Sequence, residues 1–66
     1  MSSVAKVIEV VSEGKTVEEA IQNSVNEVSK TIHNVKGVEV LRFHAIVEDN
    51  KIVKYRVDAK IAFVVD

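Results

Sequence analysis

Between Thr16 and Val35 the apolar residues return every three or four positions, at Val17, Ile21, Val25, Val28, Ile32 and Val35, with Ala20 and Ser24 between them. That spacing draws one apolar stripe on a helical period. The spacing therefore predicts a single helix over Thr16–Val35, which every other element must cover. Glu18, Glu19, Gln22, Asn23, Asn26, Glu27 and Lys30 fall mostly off the stripe. Thr16 is placed to cap the first turn through its hydroxyl, and Glu19 to return a bond to the cap's own N–H. Glu18 and Glu19 sit near the positive end of the helix dipole and Lys30 nearer the negative end. Asn34 to Gly37 offers the stop, with Gly37 free to turn left-handed. The stripe is rich in β-branched residues, which are weak helix formers alone, so the helix depends on packing of its apolar face.

Alternation replaces that repeat elsewhere. Ile52–Val65 sets Val53, Tyr55, Val57, Ala59, Ile61, Phe63 and Val65 on one face and Lys54, Arg56, Asp58 and Lys60 on the other, the pattern of a half-buried strand. Val38–Glu48 sets Leu41, Phe43, Ala45 and Val47 against Val40, Arg42, His44 and Ile46. Val4–Val11 is a strand by composition, with imperfect alternation because Lys6 and Glu9 fall on opposite faces. Met1–Ser3 is expected to be a loose start, and Ser12–Lys15 a turn around Gly14. Asp49, Asn50 and Lys51 read as a hairpin loop in which Asn50 takes an unusual backbone angle. Directly opposed residues must share a face. A three-residue loop achieves this, opposing Val47 to Val53, Ala45 to Tyr55, Phe43 to Val57, His44 to Arg56 and Arg42 to Asp58. A two-residue loop would oppose wet to dry unless a bulge corrected it. The expected fold class is α+β, in the order β-α-β-β: a single domain over residues 1–66, with a three-stranded antiparallel sheet wrapped around one helix.

So short a chain buries little surface alone, yet 47% of its 66 residues are hydrophobic and none is cysteine or proline. No disulfide or thiolate metal site is open to it. Much of the apolar area is therefore expected to be covered by other copies. The outer sheet face mixes Lys54, Arg56, Asp58 and Lys60 with Val40, Ile46, Ile52 and Val64. Such a face suits a subunit contact or the lining of a binding site; the plainer reading is a solvated face with stray apolar residues. Long strands also leave edges that pairing between subunits would satisfy. A formal charge of −1 argues against a nucleic-acid partner and against a polybasic membrane contact. No apolar run is long enough to span a bilayer, and no signal-peptide pattern opens the chain. A cytoplasmic protein is expected.

Catalytic motifs are scarce. No serine sits in a nucleophile motif, and with only Gly14 and Gly37 there is no glycine-rich phosphate loop. His33 and His44 are distant in sequence and have no cysteine to complete a zinc site. Glu48, Asp49 and Asn50 supply too few spaced oxygens for a calcium loop. His33 at the helix end suits the dipole or solvent, and His44 beside Arg56 suits a structural or solvated role. The chain does not read as an enzyme. Symmetric copies would still be able to gather Arg42, His44, Arg56 and Asp58 around an axis, making a charged pocket without a linear motif.

The whole chain resembles the dodecins. The likeness lies in Lys6-Val7-Ile8-Glu9-Val10-Val11, in the helix opening Thr16-Val17-Glu18-Glu19-Ala20-Ile21, in Val38-Glu39-Val40, and most specifically in Tyr55-Arg56-Val57-Asp58-Ala59-Lys60-Ile61-Ala62-Phe63. The resemblance implies a homododecamer, a hollow shell of cubic symmetry. It also implies a non-enzymatic role: binding a flavin, riboflavin or FMN, for storage or for quenching its photochemistry. In flavin-binding members a tryptophan just after the helix stacks on the ring, and a glutamine following the tyrosine of the last strand hydrogen-bonds it. Those positions fall at Gly37 and Arg56 here. Glycine does not replace the apolar contact of a stacking platform, and arginine donates but does not accept. The candidate cofactor-binding residues are Gly37 and Arg56 by resemblance, with His44 and Arg42 as their charged companions. Two alternatives stay open. One is a shell holding an anionic, phosphorylated cofactor at Arg56, Arg42 and Lys54. The other is a shell holding calcium or no ligand, as the resemblance implies for dodecin-like proteins lacking the two flavin contacts.

Overall fold

The computed structural model describes residues 4–65, so the expected loose start at Met1–Ser3 lies outside the described residues. The elements run β1 (Val4–Gly14), α1 (Val17–Ser29), β2 (Val35–Glu48) and β3 (Lys51–Val65). β3 is the middle strand, antiparallel to β1 on one side and to β2 on the other. The sheet wraps one face of the helix, giving the α+β, β-α-β-β architecture expected from the patterns. The alternation of β3 is realised from Lys54 onward: Val57, Ala59 and Ile61 are buried against Ala20, with Val10, Val17, Ile21 and Val38 packed around them. Before it the strand is irregular at Val53, and Ile52 lies opposite Val47 on the helix side rather than on the outer face.

The helix is shorter than its stripe. It ends at Ser29 with Lys30 as C-cap. The stripe continues one step, since the Ile32 N–H still donates to the Val28 carbonyl. Beyond it, sheet pairing takes the backbone: the Asn34 carbonyl accepts from the Val64 N–H at 3.0 Å and Val35 pairs with Phe63. Tertiary pairing thus overrides a helical repeat made of poor helix formers. Gly37 is not a left-handed stop; it lies within β2 opposite Ala62, and no described glycine has a positive φ. At the other end Thr16 is the N-cap, and its Oγ1 accepts from the Glu19 N–H at 3.0 Å. The return bond from Glu19 goes to the Lys15 N–H, one residue earlier than expected. Deepest burial on the helix follows Ala20, Ser24 and Val28. The Ser24 hydroxyl is satisfied there by donating to the Ile21 carbonyl at 2.6 Å.

The hairpin corrects the expected loop. Only Asp49 and Asn50 turn, with φ of 52° and 62°, and Glu48 pairs with Lys51. Two consecutive left-handed residues give the twist a two-residue hairpin requires. A bulge at Val53 then restores the register, so Val47 faces Ile52 rather than Val53, while Ala45–Tyr55, His44–Arg56, Phe43–Val57 and Arg42–Asp58 pair as expected. A second bulge at Leu41 reverses the faces of β2. Val40 lies opposite buried Ala59 and so belongs to the helix side, not to the outer face with Arg42.

Strand and helix differ greatly in length. A 13-residue helix spans about 20 Å and a 15-residue strand about 50 Å. The β2–β3 hairpin therefore projects past α1, and the molecule measures 54 Å in its longest direction. Phe43, Val47 and Val53, apolar by pattern, are left exposed there, Phe43 at 60%. Among the described residues no helix is long and apolar enough to cross a membrane.

Candidate functional site

The side of the sheet turned away from α1 is built as four rows across β1, β3 and β2. They are Val7–Ala62–Gly37, Glu9–Lys60–Glu39, Val11–Asp58–Arg42 and Glu13–Arg56–His44. Each central residue alternates with the buried positions of β3, which is why charge accumulates on this face while Val57, Ala59 and Ile61 stay dry.

All four candidate residues lie on this outer face, but not together. Arg42, His44 and Arg56 occupy the two rows nearer the hairpin. Arg42 Nε bonds Asp58 Oδ2 at 2.8 Å, the cross-strand pair expected from the register. Lys54 Nζ bonds Glu13 Oε1 at 2.9 Å. These pairs neutralise their neighbourhood and leave Arg56 between Glu13 and His44 without an ionic partner among the described residues. Its Nε is buried and has no hydrogen-bond acceptor among the described residues. Gly37 stands at the far row, six β3 residues from Arg56, or about 20 Å within one chain.

Around Gly37 the surface is concave. An open groove of about 440 Å³ is lined by Val7, Gly37, Val38, Glu39, Lys60 and Ala62. Val7 is more than half exposed, and a Cβ placed on Gly37 would meet nothing within 4 Å. The floor is therefore low and aliphatic, with one carboxylate and one ammonium at its edge. A second depression of about 260 Å³ lies over Val11, Leu41, Arg42 and Asp58. Among the described residues no cluster of three or more histidine, aspartate or glutamate side chains is arranged to hold a metal ion.

Sequence reasoning placed Lys60 on the polar face but did not single it out, and it passed over Val7, Glu39 and Ala62. The rows depend on which strand neighbours β3 and in what register. β3's own alternation signals neither. A bulge at Lys36 brings Gly37 opposite Ala62, and no period-two pattern marks it.

The model of one protein family, Dodecin, matches residues 4–66. No curated protein matches the chain. Among solved structures, a dodecin from Streptomyces davaonensis is 28% identical over 100% of this chain and 98% of its own, with a TM-score of 0.92. A dodecin from Streptomyces coelicolor is 26% identical over 97% of this chain and 93% of its own, with a TM-score of 0.89. A single-residue variant of the Thermus thermophilus dodecin, 23% identical over 98% of both chains with a TM-score of 0.90, shares the fold.

Proposed function

The chain belongs to the dodecin family, and from that premise we propose that twelve copies assemble in the cytoplasm into a hollow shell that holds a flavin, riboflavin or FMN. At the coarser level the protein is a non-enzymatic, small-ligand-binding member of its family. The observation that carries the finer reading is the groove beside Gly37. It is apolar-floored, open and bordered by a charged pair, the form of a site that takes a flat ring and orients it with few polar contacts. Gly37 supplies no stacking surface, so Val7 and Ala62 provide the apolar contact in place of an aromatic residue.

Assembly has its own support. The bare apolar face of the hairpin and the buried, unmatched Arg56 Nε each call for a partner from outside the chain. Arg56 also favours one second reading, in which Arg56, His44 and Arg42 receive the phosphate of a phosphorylated cofactor.

Native mass spectrometry on gently purified protein tests both levels at once. The expected result is a twelve-fold mass carrying an adduct of flavin mass. A twelve-fold mass with a phosphorylated, non-flavin adduct favours the second reading, and a monomer overturns the shell.

A further inference from the structure

Lys60 sits at the centre of a row with Glu9 on one side and Glu39 on the other. The ion pairs formed among the described residues are Lys30–Glu27, Arg42–Asp58 and Lys54–Glu13, so Lys60 is committed to neither glutamate. Both Glu39 and Lys60 line the groove, beside the low floor of Gly37 and Ala62. A free hydrogen-bond acceptor and a free donor thus stand side by side at one edge of an apolar-floored groove. Two carboxylates against one ammonium leave the row net negative, which disfavours an anionic ligand edge and favours an uncharged N–H.

The geometry points to Glu39 and Lys60 as the pair that reads the imide edge of the flavin proposed above. The Glu39 carboxylate accepts from the imide N–H. The Lys60 ammonium donates to the adjacent ring carbonyl. The ring lies on Val7, Gly37 and Ala62. The imide is thereby recognised by residues other than Arg56, which cannot both donate and accept. This assignment rests on the flavin reading above and locates the contacts that would select such a ring.

Riboflavin and N3-methylriboflavin separate the two questions. The methyl group removes the one N–H that Glu39 accepts and leaves both carbonyls. Each flavin is titrated into the assembled protein and its fluorescence quenching recorded. The expected result is riboflavin binding, with the methylated flavin about tenfold weaker or worse, the usual effect of a lost charge-assisted bond. Glu39→Ala should weaken riboflavin and erase the discrimination between the two flavins, a coupling that a purely structural role would not produce. Lys60→Met should weaken both flavins alike. Equal binding of the two flavins by the unaltered protein overturns this assignment and leaves the flavin reading standing. Discrimination that survives in Glu39→Ala also overturns it. Absence of riboflavin binding overturns the assignment and the flavin reading together. Should Glu39→Ala fail to assemble, the two-flavin comparison on the unaltered protein still decides.

Discussion

A Cβ added at Gly14 would come to 2.5 Å from the backbone nitrogen of Ala20. The end of β1 and the first turn of α1 are thus in backbone contact, and the Ser12 hydroxyl fastens them by donating to the Ala20 carbonyl at 2.6 Å. The obstacle is backbone rather than a movable side chain. Gly14→Ala should therefore force strand and helix apart and destabilise the protein by about 1–3 kcal/mol. Urea unfolding followed by circular dichroism measures it; an unchanged midpoint would mean the two elements separate without cost.

Ile61 and Val57 are fully buried in the centre of the helix-facing sheet. Aspartate at either position would have to ionise without a partner or remain protonated, and both cost several kcal/mol in an apolar interior. Ile61→Asp should give no folded chain. A soluble variant with native far-UV circular dichroism would contradict the face assignment of β3.

Arg42 and Asp58 form an ion pair in which the arginine is 59% exposed and the aspartate 21%. Screening by water limits what such a pair contributes. A double-mutant cycle with Arg42→Ala and Asp58→Ala should return a coupling of about 0.2–1 kcal/mol, falling with added salt. A larger coupling that salt leaves unchanged would place the pair in a drier setting, such as a subunit contact.

A side chain at Gly37 would enter open space, since a Cβ there meets nothing within 4 Å. Tryptophan at this position supplies a stacking surface. Position 56 of the same chain lies about 20 Å away, so a glutamine there would offer its donor and acceptor to a ring held by a neighbouring copy of the proposed shell. Gly37→Trp combined with Arg56→Gln should tighten flavin binding, read as deeper quenching of riboflavin fluorescence on titration. Quenching no greater than that of the unaltered protein would count against the carried-over site.

The alternation of Tyr55–Val65 was legible because this part of β3 is flanked on both sides and its middle is covered by the helix, so its pattern answers to a single burial direction. The Thr16 cap was legible because it is local, needing three residues and no tertiary contact. The helix end was not, because Asn34 and Val35 are claimed by Val64 and Phe63 some thirty positions away. The bulges at Lys36, Leu41 and Val53 left no mark either, and the one at Leu41 moved Val40 across the sheet. The same limit applies to the groove. Its residues come from three strands, and their meeting depends on registers that no strand encodes alone.

The hairpin that overshoots its helix has a thermodynamic consequence. Apolar surface such as Phe43 is left bare on the single chain, so in the proposed shell, where neighbouring copies would cover it, folding and association would share one free-energy balance. Dilution would then act as a denaturant. The midpoint of thermal unfolding should climb with protein concentration, and a melting curve recorded at one concentration would describe the solution as much as the molecule.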